Sequence, residues 1–203
     1  MRRSYLLLYL VALFAPASVA GAPPANVGFY YGNEAPIGHL YAYDWLVLQQ
    51  DQVTDARVDL LNRGGTLPLA YVSVDEMARS HRLHSALEDA WKVGRNTAWG
   101  STVLDLRRPE VQQFLMEKLV TPAMARGFQG VFLDTLDSHL LAQTGTDDAA
   151  AFVAGQDRFI QAIKTRFPEA KVVINRGFHL SESTHALVDG VAFESYRQGY
   201  DAG

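Results

Sequence analysis

The chain has 203 residues, 48% of them hydrophobic, so it can bury a sizeable core and is not a disordered polymer; by length it is one domain or part of a larger one. It contains no cysteine, which excludes a disulfide framework, a thiolate metal site and a cysteine nucleophile. A formal net charge of −4 argues against a nucleic-acid partner and leaves cationic or neutral partners open.

Residues 1–20 read as an export signal. Met1-Arg2-Arg3 is a basic start, residues 5–14 form an apolar stretch too short to span a membrane, and Ser18-Val19-Ala20 offers small residues at −3 and −1. Ala20-Gly21-Ala22 is a second cleavage site, made less favourable by Pro23. The expected division is a signal peptide over 1–20 and a folded domain over 21–203, periplasmic or secreted, with no stable membrane span after cleavage. Cleavage removes Arg2 and Arg3 and no acid, so the net charge moves from −4 to −6.

After the Pro23-Pro24-Ala25 linker, residues 27–31 (VGFYY) predict a first strand that ends at Gly32-Asn33-Glu34. Residues 45–49 (WLVLQ) form a second apolar run, and 54–63 a helix closed by Gly64-Gly65. Residues 67–74 (LPLAYVSV) predict a third strand, with Pro68 near its start, where a missing amide donor does least harm. Residues 75–101 are rich in His, Arg and Trp without an apolar period, and predict a functional loop carrying a short helix.

Arg108-Pro109-Glu110 starts a helix whose stripe is Val111, Phe114, Leu115, Met116 and Leu119; Thr121-Pro122 interrupts it as a kink or as the cap of a new turn. GFQGVFLDTLD (127–137) supplies a fourth strand, and 147–167 a second amphipathic helix built on Phe152, Val153, Phe159, Ile160 and Ile163. KVVIN (171–175) predicts a fifth strand, residues 180–188 a short helix, and Val191-Ala192-Phe193 a sixth strand. Strands of buried type alternating with helices indicate a parallel α/β fold. No GxGxxG follows the first strand, which argues against a dinucleotide-binding sheet. A (β/α)8 TIM-type barrel typically needs about 250 residues, so the expectation is such a barrel truncated after about six strands. An open flavodoxin-like sheet binding a small metabolite is the weaker fold reading.

Two predicted strands end alike: GVFLD on Asp134 and GVAFE on Glu194. On a barrel both carboxylates would project from the C-terminal rim, and two facing carboxylates are what glycosidic cleavage needs, one as acid and one as nucleophile or base. Read by itself, Asp134 or Asp137 could equally cap the following turn. Tyr30, Tyr31, Tyr71, Trp99 and Tyr196 stand at or beyond strand ends, where aromatic faces stack on sugar rings. Ser73, Asp75, Glu76, Asn175 and Arg176 could hydrogen-bond sugar hydroxyl, amide or amino groups, and Asp137 supports or caps. The histidines are scattered and no carboxylate-rich frame supports a metal, so neither metal nor cofactor is expected.

GFQGVFLDTLD together with INRG (174–177), GVAFES (190–195), FYYG, LAYVSVDE and the VLDLRRPEV helix start resembles the endo-α-1,4-polygalactosaminidase type of glycoside hydrolase. Such domains occur at the N-terminus of exopolysaccharide biosynthesis proteins. The resemblance covers nearly the whole chain after the signal. It implies a (β/α)8 barrel and an endo-acting hydrolase of an α-1,4-linked N-acetylgalactosamine polymer, partly deacetylated and so partly cationic. It further implies partners in an exopolysaccharide export machinery. The family's acidic pair would fall on Glu194 as acid/base and Asp134 as its partner, the nucleophile, although sequence alone does not order the two roles. Substrate contacts would fall on Tyr31, Tyr71, Ser73, Asp75, Asp137, Asn175, Arg176 and Tyr196. Where this chain departs from the family is length, and a barrel fragment that binds polysaccharide without cutting it is the alternative.

Overall fold

The computed structural model describes residues 23–32, 37–142 and 148–193. The elements run β1 (Val27–Tyr30), α1 (Ile37–Leu40), β2 (Trp45–Leu48), α2 (Asp55–Arg63), β3 (Leu67–Ser73), β4 (Glu76–Ala78), β5 (Lys92–Asn96) and β6 (Ser101–Leu104). They continue with α3 (Pro109–Leu115), α4 (Thr121–Ala125), β7 (Gly130–Asp134), α5 (Ala149–Arg166), β8 (Lys171–Asn175), α6 (Glu182–His185) and β9 (Gly190–Ala192). Six strands pair in the order β1-β2-β3-β7-β8-β9, every pair parallel, and the sheet curls into a half-barrel that matches a truncated TIM-type barrel.

Because side chains on a strand alternate faces, the register decides which residues share the concave side. Leu69 lies opposite Gly130, Tyr71 opposite Phe132 and Ser73 opposite Asp134, while Phe132 lies opposite Val173 and Asn175 opposite Ala192. Val47, Leu69, Phe132 and Val173 accordingly pack together on that side, with Tyr71 and Ala192 against them. The intervening residues face the helices. Leu46, Leu48 and Ala70 meet Val58 and Leu61 of α2, and Val131, Leu133, Val172 and Ile174 meet Val111 and Leu115 of α3 and Phe159, Ile160 and Ile163 of α5. Each such fully buried side chain contributes roughly 1.5–3 kcal/mol of transfer free energy. Gly130 lets β7 pass close to β8: a Cβ there would collide with the Lys171 carbonyl.

Residues 75–101 depart from the expected loop with a short helix. They and the residues after them form an antiparallel sheet of order β4-β6-β5, inserted between β3 and β7. The short helical turns in it, His84–Ala86 and Asp89–Trp91, are 3-10 turns. Thr121-Pro122 does not break the helix. The chain passes from α3 through a π-turn, Met116–Val120, into α4, whose first turn tolerates the missing proline amide. Among the described residues no helix is long and apolar enough to cross a membrane. The expected signal peptide, Glu194 and Tyr196 lie outside the described residues.

Candidate active site

Asp134 is the last residue of β7, at the C-terminal rim of the sheet, and is half-buried. Its neighbours in the sheet each supply one donor. The Tyr71 hydroxyl on β3 donates to Oδ2 at 2.6 Å, and the Asn175 amide on β8 donates to Oδ1 at 2.8 Å. Donors face both carboxylate oxygens, an arrangement that suits an anion and fixes its direction. Tyr71 in turn meets the exposed ring of Tyr31 edge-on, centroids 5.3 Å apart, so an aromatic wall rises beside the carboxylate. Asn175 is buried, and its Oδ1 has no hydrogen-bond partner among the described residues.

The backbone behind Asp134 is equally constrained. Thr135 has φ 66°, in the left-handed region that a β-branched residue adopts only when its surroundings impose it. Its Oγ1 donates to the Asp134 carbonyl at 2.6 Å and accepts from the Val74 and Asp75 amides, each at 3.1 Å. The end of β7 is thereby tied to the end of β3. Arg176, directly after β8, repeats the left-handed turn with φ 61°. Its guanidinium reaches Asp137 at 3.1 Å, pairing the loops after β7 and β8 across the rim.

The remaining expected contacts divide. Ser73 lies on the rim but donates its hydroxyl to the Glu76 carbonyl at 2.7 Å. Asp75, expected among the substrate contacts, is instead 0% exposed, because the chain leaves β3 at Ser73 and turns the next acid behind the sheet. Its Oδ2 accepts from Gln156 of α5 at 2.6 Å and lies 3.6 Å from His139 Nδ1. Desolvation pushes the Asp75 carboxyl up from 3.8 to about 6, and the nearby Asp75 carboxylate raises His139 above the usual histidine range. Glu76 is likewise buried and held by Asn96 and Ser101. Trp99 stands 72% exposed on the β5–β6 turn rather than at the end of a strand of the parallel sheet. Among the described residues no cluster of His, Asp or Glu is arranged to hold a metal ion.

Sequence reasoning missed Thr135, His139 and Gln156. Gln156 carried a signal: it is a polar residue on the Phe152–Phe159–Ile163 face of α5, where an amphipathic helix otherwise buries apolar side chains.

A half-barrel with a tyrosine- and asparagine-held carboxylate at its C-terminal rim is the setting of a sugar hydrolase, and the sequence model of glycoside-hydrolase family GH114 matches residues 12–202. The chain belongs to family GH114. The glycoside hydrolase domain of PelA from Pseudomonas aeruginosa is 30% identical and superposes with a TM-score of 0.79, covering 88% of this chain and 70% of that one. Ega3 of Aspergillus fumigatus, solved in complex with galactosamine, is 14% identical with a TM-score of 0.72, covering 89% of this chain and 71% of that one. An α-galactosidase from Thermus thermophilus shares the fold more distantly, at 16% identity and a TM-score of 0.59, covering 84% of this chain and 41% of that one. Among curated proteins no sequence matches the chain. This GH114 chain is a glycoside hydrolase.

Proposed function

We propose that this GH114 hydrolase cleaves an α-1,4-linked polymer of galactosamine and N-acetylgalactosamine at internal bonds, with Asp134 as nucleophile and Glu194 as acid/base. The observation that carries the reading is Asp134 itself: a rim carboxylate with a donor on each oxygen, set beside the half-buried Tyr71 and the exposed Tyr31. Glu194 closes the sequence GVAFE as Asp134 closes GVFLD, and this shared ending is the reason for pairing the two acids. The 30% identity to the PelA domain and the galactosamine bound by Ega3 support the substrate class. The net charge of −4 suits a partly deacetylated, cationic polymer.

In the first step an Asp134 oxygen forms a bond to the anomeric carbon while the glycosidic C–O bond breaks and Glu194 gives its proton to the leaving oxygen. Water then attacks the same carbon, loses its proton to Glu194, and releases Asp134. Two displacements retain the anomeric configuration. The site of action is the periplasm or the cell exterior, beside the export machinery of an exopolysaccharide.

The test is Glu194→Ala in the intact polypeptide, assayed for reducing ends released from a galactosamine polymer. Cleavage at the wild-type rate would sink the assignment. Polymer binding by the wild type with no product at long incubation would favour a binding module instead.

A further inference from the structure

Behind the rim, one side chain touches the segments that follow β3, β7 and β8. Gln156 is 0% exposed, in the middle of α5. Its Nε2 donates to Asp75 Oδ2, beyond β3, and to the Leu136 carbonyl, beyond β7, both at 2.6 Å. Its Oε1 lies 2.8 Å from His179 Nε2, beyond β8, and as Oε1 can only accept, that nitrogen carries the proton. Both amide hydrogens and the carbonyl are therefore in use, each toward a different strand end. His139 closes the figure by bonding the same Leu136 carbonyl through Nδ1 at 2.9 Å. The helix reaches this depth because residue 155 is glycine: a Cβ there would strike the Leu106 carbonyl.

We propose that Gln156 is a positioning residue for hydrolysis, fixing the segment 135–139 and through it Asp134, Asp137 and the neighbouring Asn175. The inference rests on the reading of Asp134 as a catalytic carboxylate. Leu136 is two residues beyond Asp134, and Thr135 between them is already held in a left-handed turn, so the Leu136 carbonyl is the handle by which the helix sets the carboxylate. The Gln156–His179 bond does the same for the loop that follows Asn175 and Arg176. Three rim elements thus take their relative position from one amide. A hydrophobic residue of equal volume would fill the space and hold none of them, leaving the Asp75 carboxylate without the Gln156 donor and the Leu136 carbonyl with His139 alone.

The experiment compares wild type, Gln156→Leu, Gln156→Glu and His179→Ala in the intact polypeptide. It measures kcat and KM per folded molecule on a galactosamine polymer, together with hydrogen–deuterium exchange of residues 134–139. The expected result for Gln156→Leu is a fall in kcat of about tenfold to a hundredfold with KM within about twofold, as misplacement of a reacting group by ~1 Å produces. Exchange in 134–139 should rise more than in β2 and β3. Gln156→Glu, which turns the donors into acceptors facing a carboxylate and a carbonyl, should do at least as much. His179→Ala, at an exposed residue, removes one arm without threatening the fold and should lower kcat about fivefold, one neutral hydrogen bond's worth.

A purely structural role would lower the melting temperature and leave kcat per folded molecule and local exchange as in wild type; that result overturns the inference. If Gln156→Leu does not fold, His179→Ala decides on the same two readouts. A wild type inactive on the polymer defeats the proposed function, while the exchange measurement still settles whether Gln156 holds residues 134–139.

Discussion

Asp134 and Asp75 end up within one loop of each other and in opposite situations. The first stands on the concave side of the sheet, half-buried, with a phenol and an amide directed at its oxygens. The second is on the convex side, fully buried, with one oxygen bonded to Gln156 and the other without a partner among the described residues. Both stand at the C-terminal end of a strand of the same parallel sheet, Asp134 within β7 and Asp75 two residues past β3, and Thr135 Oγ1 contacts the backbone of both. What separates them is where the strand stops. β7 ends on its acid, so the pleat still aims Asp134 into the cleft; β3 ends two residues before Asp75, and the turn carries it behind the sheet. The front of the rim presents a half-buried carboxylate to the cleft, and the back buries another in a network with Gln156 and His139.

The largest expected effect is at the front. Asp134→Asn should lower kcat by about 10³-fold or more while the melting curve stays close to wild type, as removal of an essential nucleophile does; a loss below tenfold in a reducing-end assay would break the contrast. At the back, Phe159→Ala empties a fully buried position between α5 and the sheet, with an expected cost of about 3–5 kcal/mol in denaturant unfolding.

Asp75 comes next, and its sign is set by linkage. Its folded-state pKa is raised from 3.8 to about 6, so its contribution to stability is fully present below pH 3.8 and is lost as pH rises through 6. At ~1.4 kcal/mol per pKa unit the loss amounts to at most about 3 kcal/mol. Asp75→Asn should therefore lack this decline, and wild type should fall relative to the variant between pH 4 and 6. His139, also raised, adds a further wild-type loss above pH 6.5. Parallel melting-temperature profiles for the two proteins across that range would remove Asp75 from the account. Tyr71→Phe deletes one donor to the Asp134 carboxylate; about 2 kcal/mol, or roughly thirtyfold in kcat, is expected from steady-state kinetics. Smallest is Asp137→Asn, which opens an ion pair with Arg176 that is about half exposed on both sides and should change unfolding free energy by less than about 1 kcal/mol.

The parallel sheet was legible because its strands are short apolar runs bounded by turn residues: KVVIN is β8 residue for residue, and GVFLD is β7. The inserted sheet was not. β5 reads KVGRN and β4 reads EMA, segments whose apolar content is too low to signal strands, and they exist because β6, STVL, pairs with both. Asp134 could be found from the strand-end rule, and the same rule misplaced Asp75 because the sequence does not show that β3 stops at Ser73. Gln156 was missed, since its one signal is a polar interruption of an apolar helix face. Its three partners lie 81, 20 and 23 positions away, a convergence that only the fold creates.

Thr135 and Arg176 share a consequence for how this surface can be altered. Each reverses the backbone twist at the residue after its strand, so the chain leaves β7 and β8 in a direction fixed before any loop begins. Beyond each hinge the chain is held once more by Gln156, at Leu136 and at His179, so changes to these loops are tolerated only past those two anchors. Replacing the hinges themselves is restricted to residues that tolerate left-handed backbone, chiefly glycine, asparagine and aspartate. The rim is thus fixed from two directions, by the hinge residues in front and by one helix amide behind.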